Sequence, residues 1–130
     1  MQRNNLLLFA AVSGLSAVAL GAFGAHGLKP LLSSEMLNAY ESGVRYQFYH
    51  TVVILVLSFQ NYAETNYLKR AALFFICGIL LFSGSLYLLA LTSIGGNTWQ
   101  WLGPVTPLGG LCFLIGWVFL ILQARKKFEV

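Results

Sequence analysis

Four long apolar stretches dominate the sequence, at positions 6–25, 46–62, 71–94 and 104–123. A helix of about 20 apolar residues crosses the roughly 30 Å hydrocarbon core of a bilayer. Backbone groups inside lipid must be hydrogen-bonded, and strand-like alternation is absent, so each stretch is predicted to be helical. The pattern predicts an all-α membrane protein with a single transmembrane domain over residues 1–130. Its four transmembrane helices are expected to form an up-and-down bundle.

The composition excludes the main classes of soluble chain. Only 9% of the residues are charged, 58% are hydrophobic, and aspartate is absent. Soluble domains have about a quarter of their residues charged, disordered chains combine low hydrophobicity with high charge, and disulfide scaffolds have a high cysteine fraction. Cys77 and Cys112 are predicted to be free, because their depths in antiparallel spans differ by about 8 Å.

The basic residues predict the orientation in the membrane. Six of them fall on the side that holds the N-terminus and two on the other side: Arg3, Lys69, Arg70, Arg125, Lys126 and Lys127 against Lys29 and Arg45. Since positively charged segments stay on the cytoplasmic side, both termini are predicted to be cytoplasmic. Trp99 and Trp101 suit the outer interface. The chain lacks a basic face, so its net charge of +4 indicates orientation, and no nucleic-acid partner is expected.

A cleavable leader is an alternative interpretation of the first stretch. Arg3 precedes an apolar run that ends in the small-residue pattern Ala22-Phe23-Gly24-Ala25. The run is long enough to span the bilayer, so we expect it to be kept as the first transmembrane helix.

The segment 33–45 is too polar to span but has helix signals. Ser33 or Ser34 can cap a helix, Glu35 favours its first turn, and no helix breaker occurs before Gly43. We predict an amphipathic helix at the outer interface that continues into the second span. This continuation would align Glu41, Arg45 and Tyr49 on one stripe.

Small residues in three spans predict close helix packing. Without a hydrophobic drive in lipid, helices associate where small side chains allow their backbones to approach. The predicted packing residues are Ser13, Ala17, Gly21 and Ala25 in the first span, Gly78 and Gly84 in the third, and Gly109, Gly110 and Gly116 in the fourth.

A polar cluster in the outer half of the bundle is the candidate functional site. Topology places seven polar or aromatic residues at that depth: Glu41, Arg45, Tyr46, Tyr49, His50, Tyr87 and Thr106. Glu41 and Arg45 can simply form a structural i, i+4 ion pair, or the group can form a pocket open to the outer face for a ligand or a lipid headgroup.

The two histidines and one tryptophan also lie at membrane depth, where their ring nitrogens need polar partners. His26 and His50 lie at similar depth and could bind haem or a metal or relay a proton, but two ligands are too few to define a metal site, so no metal or cofactor is predicted. The Trp117 indole needs a hydrogen-bond acceptor, for which Ser83 or Ser85 is a candidate.

Five ordered motifs carry a resemblance over nearly the whole chain: GAFGAHGL at 21–28, YESGVRYQFYH at 40–50, FSGSLY at 82–87, TPLGG at 106–110, and Gly116-Trp117. They resemble the YgdD/YwdK-like family of small four-span membrane proteins, which has no established biochemical activity. The resemblance implies a bacterial cytoplasmic (inner) membrane location. It also implies that a shared role involves the motif positions His26, Glu41, Arg45, Tyr46, Tyr49, His50, Ser83, Ser85, Tyr87, Thr106 and Pro107.

Two functional hypotheses follow from these features. The first is a non-enzymatic structural, assembly or accessory subunit of the membrane, because the chain lacks a plausible nucleophile–base pair. This hypothesis predicts a membrane-protein partner or a homo-oligomer. The alternative is a protein that binds or transports a small molecule, a proton or a lipid headgroup through the polar cluster.

Overall fold

The computed structural model describes residues 3–60 and 66–128, and every regular element within them is helical. Helix α1 is Arg3–Phe23, extended by a π-helical turn at Gly24–Leu28. Helix α2 is Ser34–Ser58. Helix α3 is Asn66–Ile94, which is α-helical at Asn66–Gly78 and Gly84–Ile94 with a π-helical turn at Ile79–Ser83 between them. A short 3-10 helix, Gln100–Leu102, precedes helix α4, Val105–Phe128. The all-α prediction is therefore confirmed.

Within residues 3–60 and 66–128, three helices, α1, α3 and α4, are long and apolar enough to cross a membrane. Helix α2 is 25 residues long but includes Glu35, Glu41 and Arg45, which lower its hydropathy. It runs unbroken from the amphipathic segment into the second apolar stretch, whose last two positions, 61 and 62, lie outside the described residues. The Ser33 hydroxyl oxygen caps this helix by accepting a hydrogen bond from the Met36 N–H at 3.2 Å.

The helices pack as two antiparallel pairs, and the contact between α2 and α3 joins the pairs. Helix α1 lies along α2, helix α4 lies along α3, and α2 packs against α3. The largest buried core cluster joins all four helices around Ile54, Phe75 and Phe113. A second cluster, formed by Leu28, Tyr40 and Ala90, lies where the π-helical turn of α1 meets α2 and α3.

The α3–α4 contact is an alternation of glycine and phenylalanine. A Cβ built on Gly78 would lie 2.4 Å from the Phe113 ring, and one on Gly116 would lie 2.6 Å from the Phe75 ring. A Cβ on Gly109 would lie 2.3 Å from the Phe82 backbone nitrogen. Each glycine therefore provides the space for a phenylalanine of the other helix, or for its backbone, and the two helices approach as closely as glycine permits.

The other predicted packing residues divide into two groups. Ser13 and Ala17 are buried and Gly21 is partly buried. A Cβ built on Gly21 would lie 3.3 Å from the Val44 side chain on α2. Ala25 is exposed instead, because a series at i+4 rotates by about 40° per step around the helix and leaves the contact face. Gly110 makes only an ordinary contact, and nothing lies within 4 Å of a Cβ built on Gly84, which differs from the prediction.

Candidate functional site

The structure separates the residues of the predicted polar cluster. Glu41, Arg45 and Tyr49 form a stripe on the exposed side of α2. The Arg45 guanidinium nitrogen lies 4.0 Å from a Glu41 carboxylate oxygen, and the two side chains are 53% and 46% exposed. An ion pair this exposed contributes about 0–1 kcal/mol. None of these three residues belongs to the lining of the cavity described below.

The two histidines lie in different environments. His26 is exposed in the π-helical turn that ends α1, whereas His50 is 5% exposed and buried among aromatic rings of α3 and α4. Within the described residues, no group of three His, Cys, Asp or Glu side chains comes together in a way that could hold a metal ion. Cys77 and Cys112 are free thiols.

The His50 ring is fixed on both nitrogens and on one face. It stacks on the Phe113 ring at a centroid distance of 3.6 Å and an interplanar angle of 7°. Its Nδ1 lies 2.8 Å from the Tyr46 carbonyl oxygen, and its Nε2 lies 3.2 Å from the Trp117 indole nitrogen. Because an indole N–H can only donate, Nε2 acts as acceptor and the ring hydrogen belongs on Nδ1. The Trp117 partner is thus His50, not Ser83 or Ser85.

Ser83 and Ser85 form hydrogen bonds between neighbouring helices. The buried Ser83 hydroxyl donates to the Gly43 carbonyl oxygen of α2 at 2.7 Å. The Ser85 hydroxyl lies 2.7 Å from the Thr106 hydroxyl on α4 and also donates to the Phe82 carbonyl oxygen at 2.9 Å. Three predicted site residues are therefore used for interhelical hydrogen bonds.

Gln47, which was not among the predicted site residues, is the centre of a hydrogen-bond network that includes Tyr87, which was predicted. The Gln47 side-chain nitrogen donates to the Ser13 carbonyl oxygen at 2.9 Å and to the Ser16 hydroxyl at 2.8 Å. The Gln47 amide oxygen accepts from the Tyr87 hydroxyl at 2.7 Å. Ser13 in turn is hydrogen-bonded through its hydroxyl to Thr51 at 2.6 Å. The Gln47 network, defined by Ser13, Ser16, Gln47, Thr51 and Tyr87, joins α1, α2 and α3.

Tyr40 supports this network from the end of α2 that precedes the second apolar stretch. Its ring packs on the Tyr87 ring at a centroid distance of 5.1 Å, and its hydroxyl donates to the Leu20 carbonyl oxygen of α1 at 2.8 Å. Gly24 lies against the Tyr40 ring, since a Cβ there would be 2.7 Å from it.

A cavity of about 280 Å³ lies beside the Gln47 network. It is open on the side between α1 and α3, where the exposed Val12 and Leu80 side chains border it. The lining residues come from three helices: Phe9, Val12, Ser13, Ser16 and Leu20 from α1, Gln47 from α2, and Ile79, Leu80, Gly84 and Tyr87 from α3. The cavity is therefore mostly apolar, with polar oxygen atoms on one part of its wall.

Comparison with known proteins identifies the family. Residues 20–110 match the family described as Protein of unknown function (DUF423). The chain belongs to this family. Its relatives include a UPF0382 membrane protein of Haemophilus influenzae, 39% identical over 96% of this chain and 97% of the relative. UPF0382 membrane protein YwdK of Bacillus subtilis is 38% identical over 92% and 95%, and UPF0382 inner membrane protein YgdD of Escherichia coli is 39% identical over 93% and 89%. No solved structure matches the chain.

The DUF423 match covers the central part of the site. It includes Gln47 and Tyr87, which connect α2 to α3, and also His50. It begins after Ser13 and Ser16 and ends before Phe113 and Trp117, so part of each cluster is contributed by residues outside the matched range. The predicted family and membrane character are thus confirmed, and the E. coli relative is named an inner membrane protein.

Proposed function

We propose that this DUF423 protein crosses a bacterial inner membrane four times, because α2 crosses it in addition to α1, α3 and α4. The start of α1 and the end of α4 then lie in the cytoplasm. At 25 residues, α2 is about 37 Å long, which exceeds the hydrocarbon thickness. After Arg45, the large exposed side chains of α2 are all apolar or aromatic, namely Tyr46, Phe48, Tyr49, Val52, Leu55 and Val56. The six-to-two distribution of basic residues supports the orientation.

Reporter fusions test this topology. Alkaline phosphatase, which is active only outside the cytoplasm, is expected to be active when fused after Leu31 or Asn97 and inactive after Gln60 or Lys126. A fluorescent protein that matures only in the cytoplasm should give the reverse pattern when fused at the same four positions. If Leu31 and Gln60 reported the same side, α2 would not cross the membrane, and reversed signals at all four positions would contradict the orientation.

We further propose that the protein is a non-enzymatic accessory or assembly subunit. One observation carries this proposal: within residues 3–60 and 66–128, every buried side-chain nitrogen or oxygen atom has a hydrogen-bond partner inside the chain. The side chains that could have performed chemistry, such as His50, Ser83 and Tyr87, hold helices together instead. A scaffold with these groups already bonded is suited to act through its outer helix surfaces.

Site-specific photocrosslinking in the native membrane tests the accessory role. The photoreactive residue replaces Leu15 of α1 or Leu114 of α4, which are 75% and 64% exposed, with the fully buried Ile54 as control. At least one exposed position is expected to give a discrete protein adduct, and Ile54 none. An adduct of twice the chain mass would identify a homo-oligomer. Adducts with lipid alone at both exposed positions, for a protein that is monomeric in bilayers, would contradict the proposal.

The alternative hypothesis, a binding or transport protein, is favoured by a different observation. The cavity beside the Gln47 network is open toward the membrane and has unused hydrogen-bond acceptors on its wall. A binding site at this cavity would lie apart from the pocket expected around Glu41, Arg45 and His50, none of which lines it.

A further inference from the structure

The cavity is elongated and mostly apolar, which suits a ligand with one extended alkyl chain. Phe9 and Leu20, at opposite ends of the α1 lining, are eleven positions apart, which corresponds to about 16 Å along a helix. The Phe9 end is apolar, since Phe9 packs against the core cluster that contains Ile79. Gln47 lies at the middle of the α1 lining, where it bonds Ser13 and Ser16. Tyr87 lies toward the Leu20 end, because its ring packs on Tyr40, whose hydroxyl bonds the Leu20 carbonyl. The cavity is about twice the size of the roughly 150 Å³ that accommodates benzene in a protein core.

The side-chain hydrogen atoms of Gln47, Ser16 and Tyr87 on this wall are already used in hydrogen bonds, and the Ser13 hydroxyl shares one with Thr51 in which either oxygen can be the donor. Both Gln47 amide hydrogens are directed at Ser13 and Ser16 oxygens, the Ser16 hydroxyl donates to the Ser13 carbonyl, and the Tyr87 hydroxyl donates to Gln47. Lone pairs remain on the Gln47 amide oxygen, the Tyr87 hydroxyl oxygen and the Ser16 hydroxyl oxygen. These three side chains can therefore accept further hydrogen bonds but cannot donate one without breaking the network.

We propose that the cavity binds a neutral single-chain lipid alcohol. The hydroxyl of the ligand donates to the Gln47 amide oxygen or the Tyr87 hydroxyl oxygen, and its apolar chain extends toward Phe9. A ligand with only acceptors, such as an ether, an ester or a quinone, gains no hydrogen bond from Gln47, Ser16 or Tyr87. The site is separate from the outer surfaces assigned to the accessory role, so either proposal can fail without the other.

Photoaffinity labelling with matched probes tests this site. The purified full-length protein, in phosphatidylcholine bilayers, is irradiated with a diazirine-bearing decanol or with the methyl ether of the same molecule. The alcohol is expected to label peptides containing residues 9–20 and 79–87, with competition by unlabelled decanol. The ether should label them about fivefold to tenfold less, which corresponds to the loss of one hydrogen bond.

Two variants fill the cavity to show where the probe binds. Gly84→Leu projects into the open space next to Gly84, and Leu80→Trp enlarges a side chain that is 63% exposed and borders the cavity. Both are expected to abolish the labelling while circular dichroism shows unchanged helix content, and Leu80→Trp serves alone if Gly84→Leu does not fold. Equal labelling by alcohol and ether would overturn the proposal, as would absence of labelling or labelling that persists in a folded variant.

Discussion

Gly109→Ala is expected to lower the free energy of unfolding by about 2–3 kcal/mol, among the largest effects of any single methyl group in this chain. The new Cβ would lie 2.3 Å from the Phe82 nitrogen and 2.7 Å from its Cα. No side-chain rotation relieves a contact with backbone atoms, so α3 and α4 must separate and loosen the remaining contacts between them. Equilibrium unfolding in mixed dodecyl maltoside–dodecyl sulfate micelles, followed by circular dichroism, measures the change.

Gly84→Ala is the matched control for Gly109→Ala. Both glycines are helical, but a Cβ on Gly84 meets nothing within 4 Å, so alanine there should be neutral or stabilising by about 0.5–1 kcal/mol. Equal losses for the two variants would show that the Gly109 contact does not hold the helices together.

The nature of the neighbour predicts which glycine variants can be rescued. A Cβ on Gly116 would meet the Phe75 ring and not a backbone atom. Gly116→Ala should therefore recover part of its lost stability when combined with Phe75→Leu, which is smaller. Gly109→Ala should not recover when combined with Phe82→Ala, because the backbone of residue 82 remains in place.

The helices could be predicted from the sequence because apolar runs of this length have few alternatives to a helix in lipid. Their ends could not. Helix α3 begins at Asn66, five residues before the apolar stretch, since hydropathy marks the buried part of a helix and not its first turn. Residue spacing does distinguish the glycines of α3: Gly78 shares a face with Phe75 and Phe82 at i−3 and i+4, whereas Gly84 lies about 120° away from Gly78.

The site was predicted less well, because topology gives the depth of a residue but not the side of the helix on which it lies. Arg45 and His50 are at similar depth, but five positions rotate a side chain by about 140° around the helix, so one is exposed and the other buried. The spacing of Gly43, Gln47, His50 and Ile54, at four, three and four positions, identifies the buried face of α2. The partners of Gln47 on α1 and α3 depend on helix register, which single-sequence patterns do not give.

Gln47→Leu is expected to lower the free energy of unfolding by about 2 kcal/mol, because a side chain of similar size is kept while hydrogen bonds to two other helices are lost. Interhelical hydrogen bonds in membranes contribute on average about 0.6 kcal/mol each. Three are lost here, to Ser13, Ser16 and Tyr87, and the Tyr87 hydroxyl loses the acceptor that it has among the described residues. The same micelle unfolding experiment measures the loss, with Gln60→Leu, an exposed glutamine after α2, as the control.

A double-mutant cycle then separates loss of the bond from loss of packing. Tyr87→Phe removes the hydroxyl that Gln47→Leu leaves without a partner, so the double variant should be more stable than the sum of the two single losses predicts, by about 1 kcal/mol. Additive losses would mean that the 2.7 Å contact between Tyr87 and Gln47 contributes no net coupling. In that case the Ser83 hydrogen bond to Gly43 and the core contacts around Ile54 and Phe75 would hold α2 to α3, and the Gln47 amide oxygen would be available to accept from a ligand.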